Sequence, residues 1–312
     1  MARLATPTAA WATLTKAMST RSPHGVRGFA GVGAARRGID SGTVTIVVAA
    51  SAHWIAAARA RESRREDALF IDVFAADLAG DLGFTMMARS EDATGQENSY
   101  IPVRVRWFDD AVLAATSGRI DQVVLLGAGL DTRPFRLDVP HRVRWFEVDR
   151  AEVLARKQQI LGETPSRCDR RVVTADLRDE WIAPLKAAGF EPSLPTAWIA
   201  EGLFFYLGEA GVHSLLGQVA GLSAAGSRLL ADIMGAAGLN GPAMQPYRDH
   251  CASHGLPPPF GSDDPVGMLE AAGWHPETIA VPGAPGANYG RLPPVPEGPI
   301  SGATHFVVAY TP

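Results

Sequence analysis

The run Val123-Val124-Leu125-Leu126-Gly127-Ala128-Gly129-Leu130-Asp131-Thr132-Arg133 constrains this chain more than any other segment. An apolar stretch that ends in paired glycines reads as a buried strand turning sharply into a helix, the place where open α/β sheets hold nucleotide-like ligands. Soon afterwards Trp145-Phe146-Glu147-Val148-Asp149 reads as the next strand, ending in a carboxylate suited to a ribose. The glycine turn alone is equivocal. Thr132 stands where the dinucleotide fingerprint G-x-G-x-x-G places its third glycine, and a bare G-x-G also serves as an ordinary strand-to-helix turn.

Three more strand-like runs lead into polar groups. Arg171-Val172-Val173-Thr174-Ala175 delivers Asp176-Leu177-Arg178, Thr196-Ala197-Trp198-Ile199-Ala200 delivers Glu201-Gly202-Leu203, and Arg228-Leu229-Leu230-Ala231 delivers Asp232. Helical patterns over residues 151–161, 181–188 and 209–222 separate them, the last with Val212, Leu215, Leu216 and Val219 on one face. This alternation predicts an α/β fold whose parallel sheet is covered on both faces. After helical residues 265–272, two β-like pieces at 277–281 and 304–310 are joined only by a loop rich in proline and glycine. No crossover helix fits between them, so they are expected to be antiparallel neighbours, a closure that suits a class I methyltransferase core.

At 312 residues, with no interior linker between 122 and 310, the chain is expected to form one domain over 44–312, with a helical cap (44–118) and an α/β core (119–312). A formal net charge of -4 argues against a dedicated nucleic-acid binder and leaves a small molecule as the expected partner. Cys168 and Cys251 are too few for a disulfide framework and lack metal-ligand spacing, which fits a reduced cytoplasm. Residues 1–39 carry Arg3, Lys16, Arg21, Arg27, Arg36 and Arg37 without any acidic residue, and residues 1–43 read as a disordered basic arm, a transit peptide or a misassigned start being the other readings. The apolar residues 44–58, which include His53 and Trp54, are too few to span a bilayer and read as a helix packed on the core, so no membrane partner is expected. Oligomeric state is left open.

Five ordered blocks then carry a resemblance. Residues 60–80 (ARESRREDALFIDVFAADLAG), 123–137 (VVLLGAGLDTRPFRL), 146–157 (FEVDRAEVLARK), 175–178 (ADLR) and 200–207 (AEGLFFYL) resemble the leucine carboxyl methyltransferase family. Within it the match is to the bacterial S-adenosylmethionine-dependent O-methyltransferases, several linked to polyketide or other secondary metabolism. The resemblance implies S-adenosylmethionine as cofactor, held at Gly127, Ala128 and Gly129, where glycine lets the backbone approach the ligand. It implies Asp149 for the ribose hydroxyls, Asp176 and Leu177 for the adenine edge, and Glu201 for the methionine amino group. Arg104 would meet the methionine carboxylate, Arg64 or Arg65 (Arg64 being carried) the same group, and Tyr206 the sulfonium. Each also has a structural reading: Asp149 as a helix cap, Asp176 as a turn residue, Arg104 as a solvated helix-face arginine, Tyr206 as core. Glu147 shares the strand face of Asp149 and would either assist it or face solvent.

Such a family member would methylate a carboxylate, which needs no general base, or a hydroxyl, which profits from one. None of the eight histidines is singled out by spacing. The acceptor is expected to meet a helical segment over residues 69–82, an adaptable lid over 235–260 with Met234, Met244 and Tyr247, and the loop Tyr289-Gly290-Arg291. No feature suggests a large protein substrate such as a phosphatase. Two other readings stay open: a nicotinamide-dependent oxidoreductase, and a cofactor-binding homologue without turnover.

Overall fold

Strands β1 (Gln122–Leu126) and β4 (Thr196–Ala200) are buried along their whole length, as expected of apolar runs at the centre of a parallel sheet. A computed structural model describes residues 41–253, 255–295 and 302–312 of the protein. The basic arm expected at the N-terminus lies almost wholly outside the described residues. With β2 (Arg144–Asp149), β3 (Asp169–Thr174), β5 (Arg228–Ile233), β6 (His275–Ala280) and β7 (His305–Tyr310), the sheet runs β3-β2-β1-β4-β5-β7-β6. Strands β1 to β5 are parallel, and β7 is antiparallel to both β5 and β6. An antiparallel strand inserted between β5 and β6 departs from the 3-2-1-4-5-6 order of the dinucleotide-binding dehydrogenases. The predicted closing hairpin is therefore present, and the oxidoreductase reading loses its structural basis.

Side-chain alternation along the strands builds two cores. Val123, Leu125, Trp145, Ile199 and Leu230 pack on Ile101, Val105, Phe108 and Val112 of the helix Tyr100–Thr116. Val124, Leu126, Phe146, Trp198 and Leu229 face the other way, onto Val212, Leu215, Leu216 and Val219 of the helix Gly208–Gly221, the stripe expected from sequence. The outermost strands carry charge: Arg170 and Arg171 on β3, and Glu277 on β6. Such residues discourage pairing with another sheet.

Two further helices, Ser41–Glu62 and Ala75–Thr94, complete the N-terminal layer. They meet through small residues, Ala56, Ala57 and Ala79, around Leu78. The second helix starts at Ala75, later than the sequence pattern from Leu69 suggested, and is broken at Gly80, whose φ of 54° and ψ of -174° are not helical. Beside that break the His53 ring approaches the carbonyls of Leu78 and Ala79 through Nδ1, at 2.9 and 3.2 Å. A break in a helix leaves carbonyls without their usual partners, and a ring N–H supplies one. No described helix is long and apolar enough to cross a membrane.

Candidate functional site

The strand order reverses between β1 and β4, so the loops leaving their carboxyl ends diverge and leave a crevice. A cavity of about 170 Å³ occupies it. Its floor is the Gly127-Ala128-Gly129 turn, and its sides are Asp149 from β2, Asp176 and Leu177 beyond β3, and Glu201 and Tyr206 beyond β4. Arg104 reaches in from the Tyr100–Thr116 helix, while Ser51, Ile55 and Arg59 of the first helix form the remaining wall. Nine of the ten residues expected from sequence thus line one space. The exception is Arg64, which is exposed and outside the lining. It lies beyond the end of the first helix at Glu62, whereas Arg59, within that helix, lines the cavity.

The turn keeps its shape through left-handed backbone at Gly127 (φ 67°) and Gly129 (φ 48°). Side chains other than glycine reach this region only at a cost. The backbone N–H groups of Gly127 and Ala128 donate to the Val148 carbonyl at 2.9 and 3.0 Å, which ties the turn to β2. Gly129 N–H donates instead to Asp149 Oδ2 at 2.7 Å, and Arg150 N–H to Asp149 Oδ1 at 2.7 Å. Asp149 therefore does not act as the cap of the helix Ala151–Leu161, which begins after Arg150 without a side-chain cap bond. Burial pushes its carboxyl above the ordinary 3.8, against the lowering effect of the two backbone donors. A carboxylate offers about four acceptor positions, and these two bonds leave capacity for a ligand's hydroxyls.

Asp176 is the turn residue read for it and keeps its place on the cavity wall. Its carboxylate accepts from Arg178 N–H at 3.0 Å, which makes the turn, and also lines the cavity. The Arg178 guanidinium holds its carboxyl below the usual range. Arg104 is buried and bridges the end of β4 to the interior of β5: Nε donates to Glu201 Oε1 at 2.9 Å and Nη1 to Asp232 Oδ2 at 3.3 Å. It is not a solvated helix-face arginine, a description that suits its half-exposed neighbour Arg106, paired with Asp110. Burial would lower the Arg104 guanidinium, but Asp232 and Glu201 outweigh it and hold it above its ordinary value. Gly202 also bonds Asp232, its N–H donating to Oδ1 at 2.5 Å. A Cβ there would stand 3.1 Å from Arg104 Nη1, and its φ is 62°. Burial pushes the Tyr206 phenol up, opposed by a hydrogen bond with Ser51.

Other expectations need correction. Asp232 lies inside β5 rather than at its end, because β7 pairs with β5 as far as Ile233. Glu147 neither assists Asp149 nor faces solvent. It is fully buried, with Lys157 Nζ at 2.6 Å and Arg170 Nη2 at 2.7 Å. Met234, Met244 and Tyr247 form no loose lid over the cavity, since all three are buried and the Tyr247 ring lies 4.9 Å from that of Phe205. The loop at Tyr289 is fastened to the N-terminal layer: Tyr289 donates to Asp110 at 2.9 Å, and Arg291 binds Glu62 and Asp67, each at 2.8 Å. Arg59, Asp131, Arg150 and Arg178 line the cavity without having been singled out. An Asp-x-Arg directly after the glycine turn was the available signal for Asp131, whereas Arg59 is one of several arginines in a basic stretch.

No group of three or more potential metal ligands occurs among the described residues. Cys168 and Cys251 are free and buried. Glycine backbone, strand-end carboxylates and a buried arginine in one crevice match the chemistry of an adenosyl amino acid: hydroxyls, an amine, a carboxylate and a cationic sulfur.

Sheet order and site together define a class I methyltransferase that uses S-adenosylmethionine. The sequence profile of leucine carboxyl methyltransferase matches residues 52–220, and the chain belongs to that family. It is 39% identical over 255 residues to a protein of Frankia alni described as an S-adenosyl-L-methionine-dependent methyltransferase, a match covering 78% of this chain and 87% of that one. A relative of the same description from Streptomyces avermitilis is 36% identical over 259 residues, covering 78% and 88%. Another, from Parafrankia, is 46% identical over 185 residues, but the match spans only 56% of this chain and 59% of that protein. Among solved structures, a methyltransferase from Thermobifida fusca shares the fold, with a TM-score of 0.54 at 18% identity over 81% of this chain and 94% of that one.

Proposed function

We propose that the protein transfers a methyl group from S-adenosylmethionine to an oxygen of a small molecule, a carboxylate or a hydroxyl of a secondary metabolite. One observation carries the preference for a carboxylate: the cavity carboxylates near the methionine end are already bound to arginines. Glu201 meets Arg104 and Arg133, and Asp131 meets Arg133. No histidine, lysine or cysteine lines the cavity among the described residues. A carboxylate acceptor is ionised at neutral pH and requires no proton acceptor, whereas an alcohol or phenol profits from one.

When bound, S-adenosylmethionine supplies an electrophilic methyl group on a sulfonium whose leaving group is a neutral thioether. The chain's own contribution is to bind and align. Asp149 accepts from the ribose hydroxyls, Asp176 and the Leu177 backbone take the adenine edge, Glu201 accepts from the amino group, and Arg104 pairs with the methionine carboxylate. Gly127, Ala128 and Gly129 let the backbone approach. Tyr206, with Ile55 of the first helix, bounds the acceptor side. Alignment of this kind contributes about 7–11 kcal/mol in favourable systems. The helices over residues 44–118 act as the cap of one domain spanning 44–312, since Ser51, Ile55, Arg59 and Arg104 complete the cavity wall.

The test is transfer of labelled methyl from S-adenosylmethionine to a panel of small carboxylic acids, phenols and alcohols. The expected product is a methyl ester, whose label is released by mild alkali. Label that resists alkali and is found on oxygen places the acceptor among hydroxyls. Label recovered on nitrogen or carbon, or only on protein, overturns the proposal.

A further inference from the structure

Arg133 opens the short helix Arg133–Arg136, directly after the glycine turn, and is 1% exposed. It does not line the cavity, yet it grips two of the carboxylates that do, Glu201 and Asp131. Its Nη2 lies 2.7 Å from Glu201 Oε2, its backbone N–H donates to Asp131 Oδ1 at 2.7 Å, and its Nη1 pairs with the other Asp131 oxygen. From behind, Nε donates to Asp109 Oδ1 at 2.7 Å. Asp109 in turn holds both terminal nitrogens of Arg136, at 2.5 and 2.7 Å. Glu201, Asp131 and Asp109 come from three separate parts of the chain, and three carboxylates this shielded from water, Asp109 buried and the other two only partly exposed, do not converge without a cation between them.

We infer that Arg133 is a positioning residue that sets the Glu201 and Asp131 carboxylates toward the amino-acid end of the cofactor. Formally, the guanidinium groups of Arg104, Arg133 and Arg136 face the carboxylates of Asp109, Asp131, Glu201 and Asp232, so one negative charge is left over. An ammonium or sulfonium entering the cavity balances it. Only a planar fork serves three carboxylates at once; a lysine ammonium is a point charge on a flexible stem and reaches fewer of them in fixed geometry. Asp131 accordingly has its carboxyl held low: burial works to raise it, and Arg133 leads the cations that overcome burial.

The inference rests on the reading of Glu201 proposed above, and the test separates the two. Calorimetry on the full chain compares S-adenosylmethionine with 5′-methylthioadenosine, which keeps adenine, ribose and thioether but lacks the amino-acid moiety. In Arg133→Lys the dissociation constant for S-adenosylmethionine is expected to rise about tenfold while that for methylthioadenosine changes less than about twofold. Asp109→Asn, which keeps the arginine but removes charge from its anchor, is expected to give the same selective loss at smaller size. Glu201→Gln is the control. If it leaves the ratio of the two constants unchanged, the reading of Glu201 is wrong. If it moves the ratio and Arg133→Lys does not, Arg133 is no positioning residue; should that variant fail to fold, Asp109→Asn decides in its place. Equal weakening of both ligands in a folded variant also overturns the inference, because it marks general damage to the cavity.

Discussion

Replacing Asp149 with alanine tests the cofactor site at the point where geometry defines it best. The substitution removes the acceptor of two backbone donors, Gly129 N–H and Arg150 N–H, each 2.7 Å from a carboxylate oxygen. An N–H left without a partner in a buried site costs about 1–3 kcal/mol. Removal of a carboxylate that burial disfavours offsets part of that cost, so the melting temperature is expected to move little. Cofactor binding has no such offset. Each charge-assisted bond to a ribose hydroxyl contributes about 1.5–3 kcal/mol, so losing even one weakens S-adenosylmethionine about tenfold to a hundredfold. The pH dependence gives a second readout. Burial raises the Asp149 carboxyl above 3.8, so the folded chain takes up this proton at higher pH than the unfolded chain does. Its contribution to stability therefore declines as pH rises through the folded value, while affinity for the ribose declines as pH falls through it. Asp232 is also raised by burial, but it is retained in the variant, so the difference between the two profiles isolates Asp149. Titration calorimetry of both proteins across the acidic range measures this. An unchanged dissociation constant in a folded Asp149→Ala protein, or the same acid slope in both, refutes the assignment.

Three further outcomes are expected. Gly202→Ala places a Cβ 3.1 Å from Arg104 Nη1 at a φ of 62°; it is expected to cost about 1–2 kcal/mol of stability and to weaken S-adenosylmethionine, and a melt and titration identical to the parent's would show that Arg104 is not constrained there. Lys157→Met strips one cation from the buried Glu147 but leaves Arg170 in place, so urea unfolding is expected to show a loss of about 3 kcal/mol, the lower end for a broken buried pair; no loss would mean that Arg170 suffices. His53→Leu removes the ring that meets the carbonyls beside the Gly80 break, and a loss of about 1 kcal/mol is expected in thermal unfolding, with none if water replaces the ring.

Much of the fold was legible because central strands speak plainly. Val123, Val124, Leu125 and Leu126 are buried on both faces, so the sequence there is an unbroken apolar run, and β4 begins and ends at Thr196 and Ala200 as expected. The antiparallel closure followed from loop composition, since the stretch between the last two strands is rich in proline and glycine and carries no helical pattern. Boundaries were less legible where pairing partners set them. Nothing local in Arg228-Leu229-Leu230-Ala231-Asp232-Ile233 says that β7 extends the strand past Ala231. The expected lid failed for a related reason: Met234, Met244 and Tyr247 signal adaptability by type, but Phe205 and the surrounding core bury them.

The site shows the same division between what one segment encodes and what the assembled fold adds. Glu147 and Asp149 sit two residues apart on one strand and share a chemistry, yet they meet opposite fates. Asp149 stands at the carboxyl end of β2, where it meets the backbone N–H groups of Gly129 and Arg150, and it keeps acceptor capacity at the cavity. Glu147 stands deeper, where Lys157 from the following helix and Arg170 from β3 converge and consume it. A carboxylate buried at that depth requires such cations, and the chain supplies them from residues 10 and 23 positions away. Arg104 follows the same logic in reverse. As a helix residue among polar neighbours it resembles a surface arginine, and only the convergence of Glu201 and Asp232, 97 and 128 positions along the chain, makes it a buried group of the cavity. Strand-end position therefore marks which carboxylates remain available to a ligand. The role of the arginines that hold the others in place emerges only when distant strands are brought to one rim, as that of Arg133 does between Asp109, Asp131 and Glu201.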